Sequence, residues 1–300
     1  MRPVRALIIY IAVVFIGGAL LAPWLWHLAQ SFASSFPRVA SAPFHRFLDR
    51  SFLILALAGL WPLLRALGTK SWLEIGLVSP RGQGRKLFGG LLLGGVSLAA
   101  VAGVALALGG RMVAQGMTAH KFVGGISSAV ATAAVVAILE EILFRGGVFG
   151  GLRRVIYWPP ALVISSAVYA IVHFLQRVEL VGPVAWNSGL VLLPQKLGGF
   201  TDIQALVPGF FSLTLAGALL GLAYQRSGNL YFSIGLHAGW IFWLKIYGQI
   251  TVSVPHAAVW FWGSGKILDG WLAFFVLAAI LIVFPFLPLK PPRQGYSISK

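Results

Sequence analysis

Five of the ionisable residues in or beside strongly apolar stretches of this chain could do chemistry together. Glu140 and Glu141 are adjacent, Arg145 follows four residues after the second of them, and His173 and His237 each stand in a later apolar run. Burying an ionisable group in a hydrophobic segment costs about 2.5–3.5 kcal/mol on insertion scales, so each such group needs an explanation. A carboxylate with two imidazoles is a set of groups that can activate water for hydrolysis.

The two glutamates are predicted to have different roles. Successive residues of a helix point about 100° apart, so Glu140 and Glu141 cannot face the same point. Glu141 precedes Arg145 by four residues, the favoured order for a helical ion pair, and we predict that these two are structural partners. Glu140 is then left without a local counter-charge and is the candidate general base. The alternative is that all three form only a salt-bridged helix end.

Hydrolysis by these groups has two forms, and the residues alone leave both open. In one form, His173, His237 and Glu140 bind a zinc ion with an open position, which lowers the pKa of a bound water. In the other, Glu140 activates water directly while histidines donate to the developing oxyanion. The local His-Glu-x-x-His zinc signature is absent, so any ligands must converge from separate helices. The absence of cysteine excludes thiolate catalysis and Cys-based metal sites.

The composition indicates that these residues are held inside a membrane. Of the 300 residues, 58% are hydrophobic and only 10% are charged, whereas soluble domains carry about 25% charged residues. The net charge is +16, but the basic residues are scattered singly between apolar runs. This scatter is typical of loops beside anionic lipid headgroups. We therefore expect membrane lipid as a partner and no nucleic acid.

Apolar runs of about 20 residues predict an all-α, polytopic transmembrane helix bundle of about eight spans. The predicted spans are 6–26, 52–69, 87–109, 124–149, 159–176, 206–225, 229–247 and 270–288. The first run is longer than a signal-peptide core, and we interpret it as a retained span. The predicted division is 1–123 for N-terminal spans, 124–250 for the catalytic core, and 251–300 for the last span and a cytoplasmic tail.

Basic residues predict the orientation. More of the Lys and Arg residues fall on the side of the N-terminus than on the other side, so both termini are expected in the cytoplasm. The expected location is the cell inner or plasma membrane. A rise of about 1.5 Å per residue places Glu140, His173 and His237 between the cytoplasmic half and the midplane of the bundle. Small residues that allow close helix packing are predicted near them: Gly146, Gly147, Gly217, Gly221, Gly235 and Gly239.

Three ordered motifs resemble a known family. They are Glu140-Glu141-x-x-x-Arg145, Tyr169-x-x-x-His173, and a Gly-rich segment that leads from Phe211 to His237. This pattern resembles the CPBP family, named for CAAX prenyl-protein proteases and bacteriocin processing and also called ABI or Rce1-like, over about residues 124–245. The resemblance implies proteolysis in a membrane cavity, on a membrane-associated protein or peptide.

The resemblance also implies the role of each residue. Glu140 would activate water, Glu141 and Arg145 would support the motif, and His173 and His237 would be metal ligands or oxyanion partners. Both a zinc metalloprotease and a metal-independent enzyme agree with it. There are two departures: Tyr169 stands where Phe is common, and Ile241 stands where many members have Asn or Asp. Isoleucine neither binds metal nor donates a hydrogen bond, so Asn187, Trp240 or water substitutes for it, or activity is reduced.

We therefore predict an intramembrane endopeptidase, and two other classes of function stay open. One is a catalytically weak family member that acts as a membrane scaffold, which the departure at Ile241 suggests. The other is a proton- or ion-coupled transporter subunit in which Glu140, His173 and His237 form a relay. The sequence shows no inverted repeat, which such transporters commonly carry.

Overall fold

The apolar runs form helices in the computed structural model, which describes residues 2–264 and 266–289. The α-helices are α1 (Arg2–Ala12), α2 (Gly18–Ser31), α3 (Pro37–Ala40), α4 (Phe44–Ala66), α5 (Gly84–Ala107), α6 (Ala119–Glu141), α7 (Gly150–Leu152), α8 (Trp158–His173), α9 (Ser188–Gln195), α10 (Ile203–Ser227), α11 (Tyr231–Ile250), α12 (Val259–Trp262) and α13 (Trp271–Val283). Residues 13–17 and 142–149 are π-helical, and 72–75, 196–200 and 284–286 form 3₁₀ turns. The predicted cytoplasmic tail at 290–300 lies outside the described residues.

The predicted all-α polytopic membrane bundle is confirmed, and the chain is an integral membrane protein. Each predicted span overlaps a helical stretch. By length and composition, five helices of the described chain suffice to cross a membrane: Arg5–Ser31, Phe44–Ala66, Gly84–Ala107, Ala119–Leu152 and Ile203–Ser227. Trp158–His173 and Trp271–Phe286 are shorter apolar helices.

Two local features differ from the sequence-based expectation. Helix α4 begins at Phe44 rather than at 52, because the charged residues before Ser51 interrupt the apolar run without interrupting the helix. Two short strands were not predicted: β1 (Arg111–Val113) and β2 (Thr251–Ser253) pair antiparallel, with Arg111 opposite Ser253. They are three residues long, which is too short to give a recognisable alternation of hydrophobic and polar residues.

The described residues fall into two compact units, and the first contains Met1–Lys70 with Val172–Asp202. In this unit α2 packs against α4 and α9. A side chain at Gly189 of α9 would overlap the backbone of Ala19, so this contact depends on the missing Cβ. The buried Lys196 ammonium lies 2.7 Å from the Asp49 carboxylate and fastens the 3₁₀ turn after α9 to α4.

The second unit contains the described residues within Ser71–Ile171 and Ile203–Lys300, and its most extensive helix–helix contact is between α5 and α11. Pairs of glycines four residues apart face each other here. A Cβ at Gly90 or Gly94 would overlap the backbone of α11, and one at Gly235 or Gly239 would overlap the backbone of α5. Because lipid gives no hydrophobic drive for helix association, such small residues let dispersion between the two backbones hold the pair together.

Helix α6 packs along another face of α11 through small residues spaced four apart. Ala129, Ala133, Ala137 and Glu141 are all buried on this stripe. Near the start of α6, a Cβ on Gly125 would overlap the Gln249 side chain at the end of α11. At the other end, Glu141 contacts His237 of α11. The two helices are therefore antiparallel, and the small residues lead directly to the ionisable pair.

The α5–α11 packing predicts different effects for two glycine substitutions in one helix. We expect Gly94→Ala to lower the unfolding temperature in detergent by several degrees, since the new methyl group overlaps the Leu236 carbonyl and overpacking costs about 1–3 kcal/mol. Gly103→Ala is the matched control, because its Cβ meets nothing within 4 Å and alanine favours the helix. Equal unfolding temperatures for the two variants would contradict the glycine packing.

Candidate active site

The two glutamates lie where the regular hydrogen bonding of α6 ends. Helix α6 ends at Glu141 and continues as the π-helical segment Ile142–Phe149, a wider turn that is frequent at functional sites. Arg145 lies inside that segment, and its Nη1 is 3.1 Å from Oε1 of Glu141. Both side chains are almost completely buried, at 3% and 0% exposed. The predicted Glu141–Arg145 ion pair is therefore present.

His237 contacts the same carboxylate oxygen from a different helix. Its Nδ1 lies 3.0 Å from Oε1 of Glu141. A carboxylate that faces a guanidinium accepts hydrogen bonds but does not donate them, so Nδ1 carries the proton and donates it. This contact fixes the orientation of the ring and leaves Nε2 as the nitrogen that faces the rest of the site.

Glu140 lies on the Nε2 side of His237. Its Oε2 is 3.8 Å from Nε2, and a quarter of its side chain is exposed. Glu141, the next residue along the chain, has no exposed side-chain area. The expectation that the two glutamates face different surroundings holds: Glu141 is enclosed with a cation, while Glu140 is a quarter exposed and has Oε2 on the Nε2 side of the imidazole.

Tyr169 of α8 completes this side of the cluster. Its hydroxyl oxygen lies 3.4 Å from Nε2 of His237. The guanidinium carbon of Arg145 lies 4.5 Å from the centre of the phenol ring, and Phe144 meets the same ring edge-on. Nη2 of Arg145 also donates to the carbonyl oxygen of Gly217, 3.3 Å away on α10. Helix α10 comes this close to α8 because Gly217 lies against Ser166.

The roles predicted for His173 and for a zinc ion stay predictions. His173 is the last residue of α8 and belongs to the segment assigned to the first compact unit. Its proximity to Glu140 stays a prediction, as does its role. No group of three or more His, Asp or Glu residues that could hold a metal occurs within 2–264 and 266–289. Glu140 and His237, two of the three predicted zinc ligands, lie 3.8 Å apart beside the Glu141–Arg145 pair, and a zinc ion there stays a prediction.

Ile241 stands where many members of the resembled family have Asn or Asp, and the residues just after His237 do not supply the missing polar group. Ile241 is buried and packs in an apolar cluster with Ala133 and Ala137 of α6. The indole nitrogen of Trp240 donates to the hydroxyl of Ser97 on α5, 2.8 Å away. Trp240 is therefore engaged elsewhere, and the polar contact next to Nε2 comes from Tyr169.

The sequence analysis does not predict three features of the site. They are the π-helical turn after Glu141, the hydroxyl contact of Tyr169, and the contact of His237 with Glu141. The alanines at 129, 133 and 137 were a usable signal, because a four-residue spacing that ends at Glu141 predicts which glutamate faces a packed helix. Tyr169 was identified only as a member of an aromatic motif.

Comparison with known proteins covers this same region. Residues 122–243 match a family model described as type II CAAX prenyl endopeptidase Rce1-like. Over these residues the chain is similar to the Rce1-like family. The match runs from α6 into α11, so the Rce1-like segment contains all the predicted site residues, and the family resemblance is confirmed. It supports a protease that acts on a membrane-associated protein. Comparisons with curated proteins and with solved structures give no match.

The surroundings of the two glutamates predict opposite effects on stability. Glu141→Gln leaves the buried Arg145 guanidinium without its counter-charge, and we expect a loss of about 3–5 kcal/mol in the free energy of unfolding. Glu140→Gln should change it by less than about 1 kcal/mol, because a quarter of this side chain is exposed and the buried Arg145 keeps its partner Glu141. Denaturant unfolding in detergent measures both values. An equal loss of unfolding free energy in the two variants would contradict this difference between the surroundings of Glu141 and Glu140.

Proposed function

We propose that the protein is an intramembrane endopeptidase that hydrolyses a peptide bond in a membrane-associated protein or peptide. One observation carries the proposal: Oε2 of Glu140 and Nε2 of His237 lie 3.8 Å apart, while the other imidazole nitrogen is tied to the buried Glu141–Arg145 pair. A carboxylate and a ring nitrogen at this separation can both accept hydrogen bonds from one water molecule.

The chemistry proceeds from that bound water. The water donates one proton to Glu140 and one to Nε2 of His237, so its oxygen presents a lone pair to the peptide carbonyl. When the oxygen attacks the carbonyl carbon, Glu140 takes one proton and the carbonyl oxygen becomes an oxyanion. The carbon–nitrogen bond then breaks, and the proton on Glu140 passes to the departing amine nitrogen. Glu141 and Arg145 hold His237 in position and do not touch the substrate.

The proposal uses no metal-dependent step. Its support is the donor set: Glu141, which binds Arg145, accepts the Nδ1 proton of His237, and the described residues do not form a group of three metal ligands. A zinc ion bound by His173, His237 and Glu140 is the alternative form of the same hydrolysis. Such an ion would supply a bound water of lowered pKa.

We also propose the membrane, the orientation and the class of substrate for this activity. We place the chain in the cell inner or plasma membrane with both termini in the cytoplasm, so that Glu140 and His237 open toward the cytoplasmic half of the bilayer. The substrate class is a protein or peptide held at that membrane. A comparison of membrane peptides from cells with the unaltered chain and with Glu140→Gln would identify the substrate as the peptides that accumulate in the variant.

The first test removes the two reacting groups one at a time. We expect Glu140→Gln and His237→Ala to abolish cleavage in proteoliposomes while both variants insert and stay monodisperse, since neither change unpairs Arg145. Glu74→Gln is the matched control: this carboxylate pairs with Arg154 and should leave cleavage unchanged. Aggregation of both site variants would mean that the cluster is structural. A proton flux that depends on Glu140, without any cleavage, would instead favour a transporter subunit in which Glu140, His173 and His237 relay protons.

Metal analysis separates the two forms of the hydrolysis. We expect the active, detergent-purified protein to contain much less than one zinc per chain, and cleavage to survive a strong chelator, because the water is positioned by Glu140 and His237 alone. Stoichiometric zinc that disappears in His237→Ala or His173→Ala would contradict the metal-free form and favour the zinc-bound water.

A further inference from the structure

The Tyr169 hydroxyl lies beside the same ring nitrogen as the proposed water. Its oxygen is 3.4 Å from Nε2 of His237, and Oε2 of Glu140 is 3.8 Å from that nitrogen. Only 4% of Tyr169 is exposed, so little bulk water competes for this hydroxyl.

The phenol ring is fixed while its hydroxyl proton can turn. Phe144 meets the ring edge-on with the centroids 5.1 Å apart, and the Arg145 guanidinium lies over its face. Both contacts stabilise one ring position. Rotation about the carbon–oxygen bond changes only the direction of the proton, and it needs no movement of the backbone or the ring.

The partner of this proton depends on what occupies Nε2. Nδ1 of His237 donates to Glu141, so in the neutral imidazole Nε2 carries the lone pair and accepts the Tyr169 proton in the resting site. In the proposed reaction a water donates to Nε2 instead, and the Tyr169 proton is released. The carbonyl oxygen that this water attacks gains negative charge, and a charged oxygen accepts a stronger hydrogen bond than a neutral imidazole does.

We infer that Tyr169 is a further catalytic residue, whose hydroxyl donates a hydrogen bond to the oxyanion of the tetrahedral intermediate. This inference rests on the proposed peptide hydrolysis. The phenol keeps its proton throughout, so the step forms and breaks no covalent bond. Ile241 of α11 packs against alanines and has no donor to offer, so the hydrogen bond comes from α8.

The test compares Tyr169→Phe with Tyr157→Phe in the full-length protein. The first change removes only the hydroxyl and keeps the ring between Phe144 and Arg145. The second removes a hydroxyl from a tyrosine that is 73% exposed. Loss of one oxyanion donor lowers kcat by about 100-fold to 1,000-fold, and we expect a loss of that size for Tyr169→Phe with KM within about twofold. Tyr157→Phe should keep both constants.

A second measurement reports on the oxyanion without turnover. A phosphinic peptide carries tetrahedral, negatively charged oxygens, so its affinity should fall about 100-fold in Tyr169→Phe, while the affinity of a planar amide product stays the same. A Tyr169→Phe variant that retains kcat overturns the inference and leaves the proposed hydrolysis intact. Equal weakening of both ligands also overturns it, because the hydroxyl would then be structural. If the unaltered chain cleaves no peptide, the proposed function itself fails.

Discussion

One carboxylate oxygen, Oε1 of Glu141, is shared by the Arg145 guanidinium and the His237 imidazole. A buried ion pair is costly to desolvate, and it is tolerated when further hydrogen bonds satisfy the charges. Here the imidazole and the Gly217 carbonyl supply them. Because the shared oxygen accepts the hydrogen bond from Nδ1 of His237, this buried contact sets the direction in which Nε2 points. Everything on the reactive side of His237 depends on that direction.

The shared oxygen requires α6 and α11 to pack directly against each other at Glu141 and His237. Bulky side chains in place of the α6 alanines would push the two helices apart and separate the Glu141 and His237 atoms. The alanines of α6 prevent this on one face of α11, and the paired glycines of α5 and α11 hold the opposite face. In lipid the association of helices rests on such packing rather than on hydrophobic burial. The close packing is therefore a precondition of the polar contact.

Sequence reasoning succeeded where one helix decides the outcome and failed where two helices do. The Glu141–Arg145 pair follows from a spacing of four residues, and the helices follow from the apolar runs. The choice of His237 between two adjacent glutamates depends on how α6 and α11 are rotated, and the sequence signal for that rotation is the alanine spacing of α6 rather than anything around His237. The π-helical turn and the two short strands depend on backbone hydrogen bonds, which give no hydropathy signal. The early start of α4 shows that charged residues limit an apolar run without ending a helix.

The charges of the cluster explain why a neutral donor suits this site. With His237 neutral, Glu140, Glu141 and Arg145 sum to one negative charge. An additional anion would be repelled in so enclosed a place. During attack, however, Glu140 loses its charge as it takes the water proton, and the same charge appears on the carbonyl oxygen. The net charge of the site is conserved. The site must therefore stabilise one negative charge that moves a few ångströms, from Glu140 to the carbonyl oxygen. A hydroxyl that can turn from Nε2 to that oxygen does so without introducing a charge of its own.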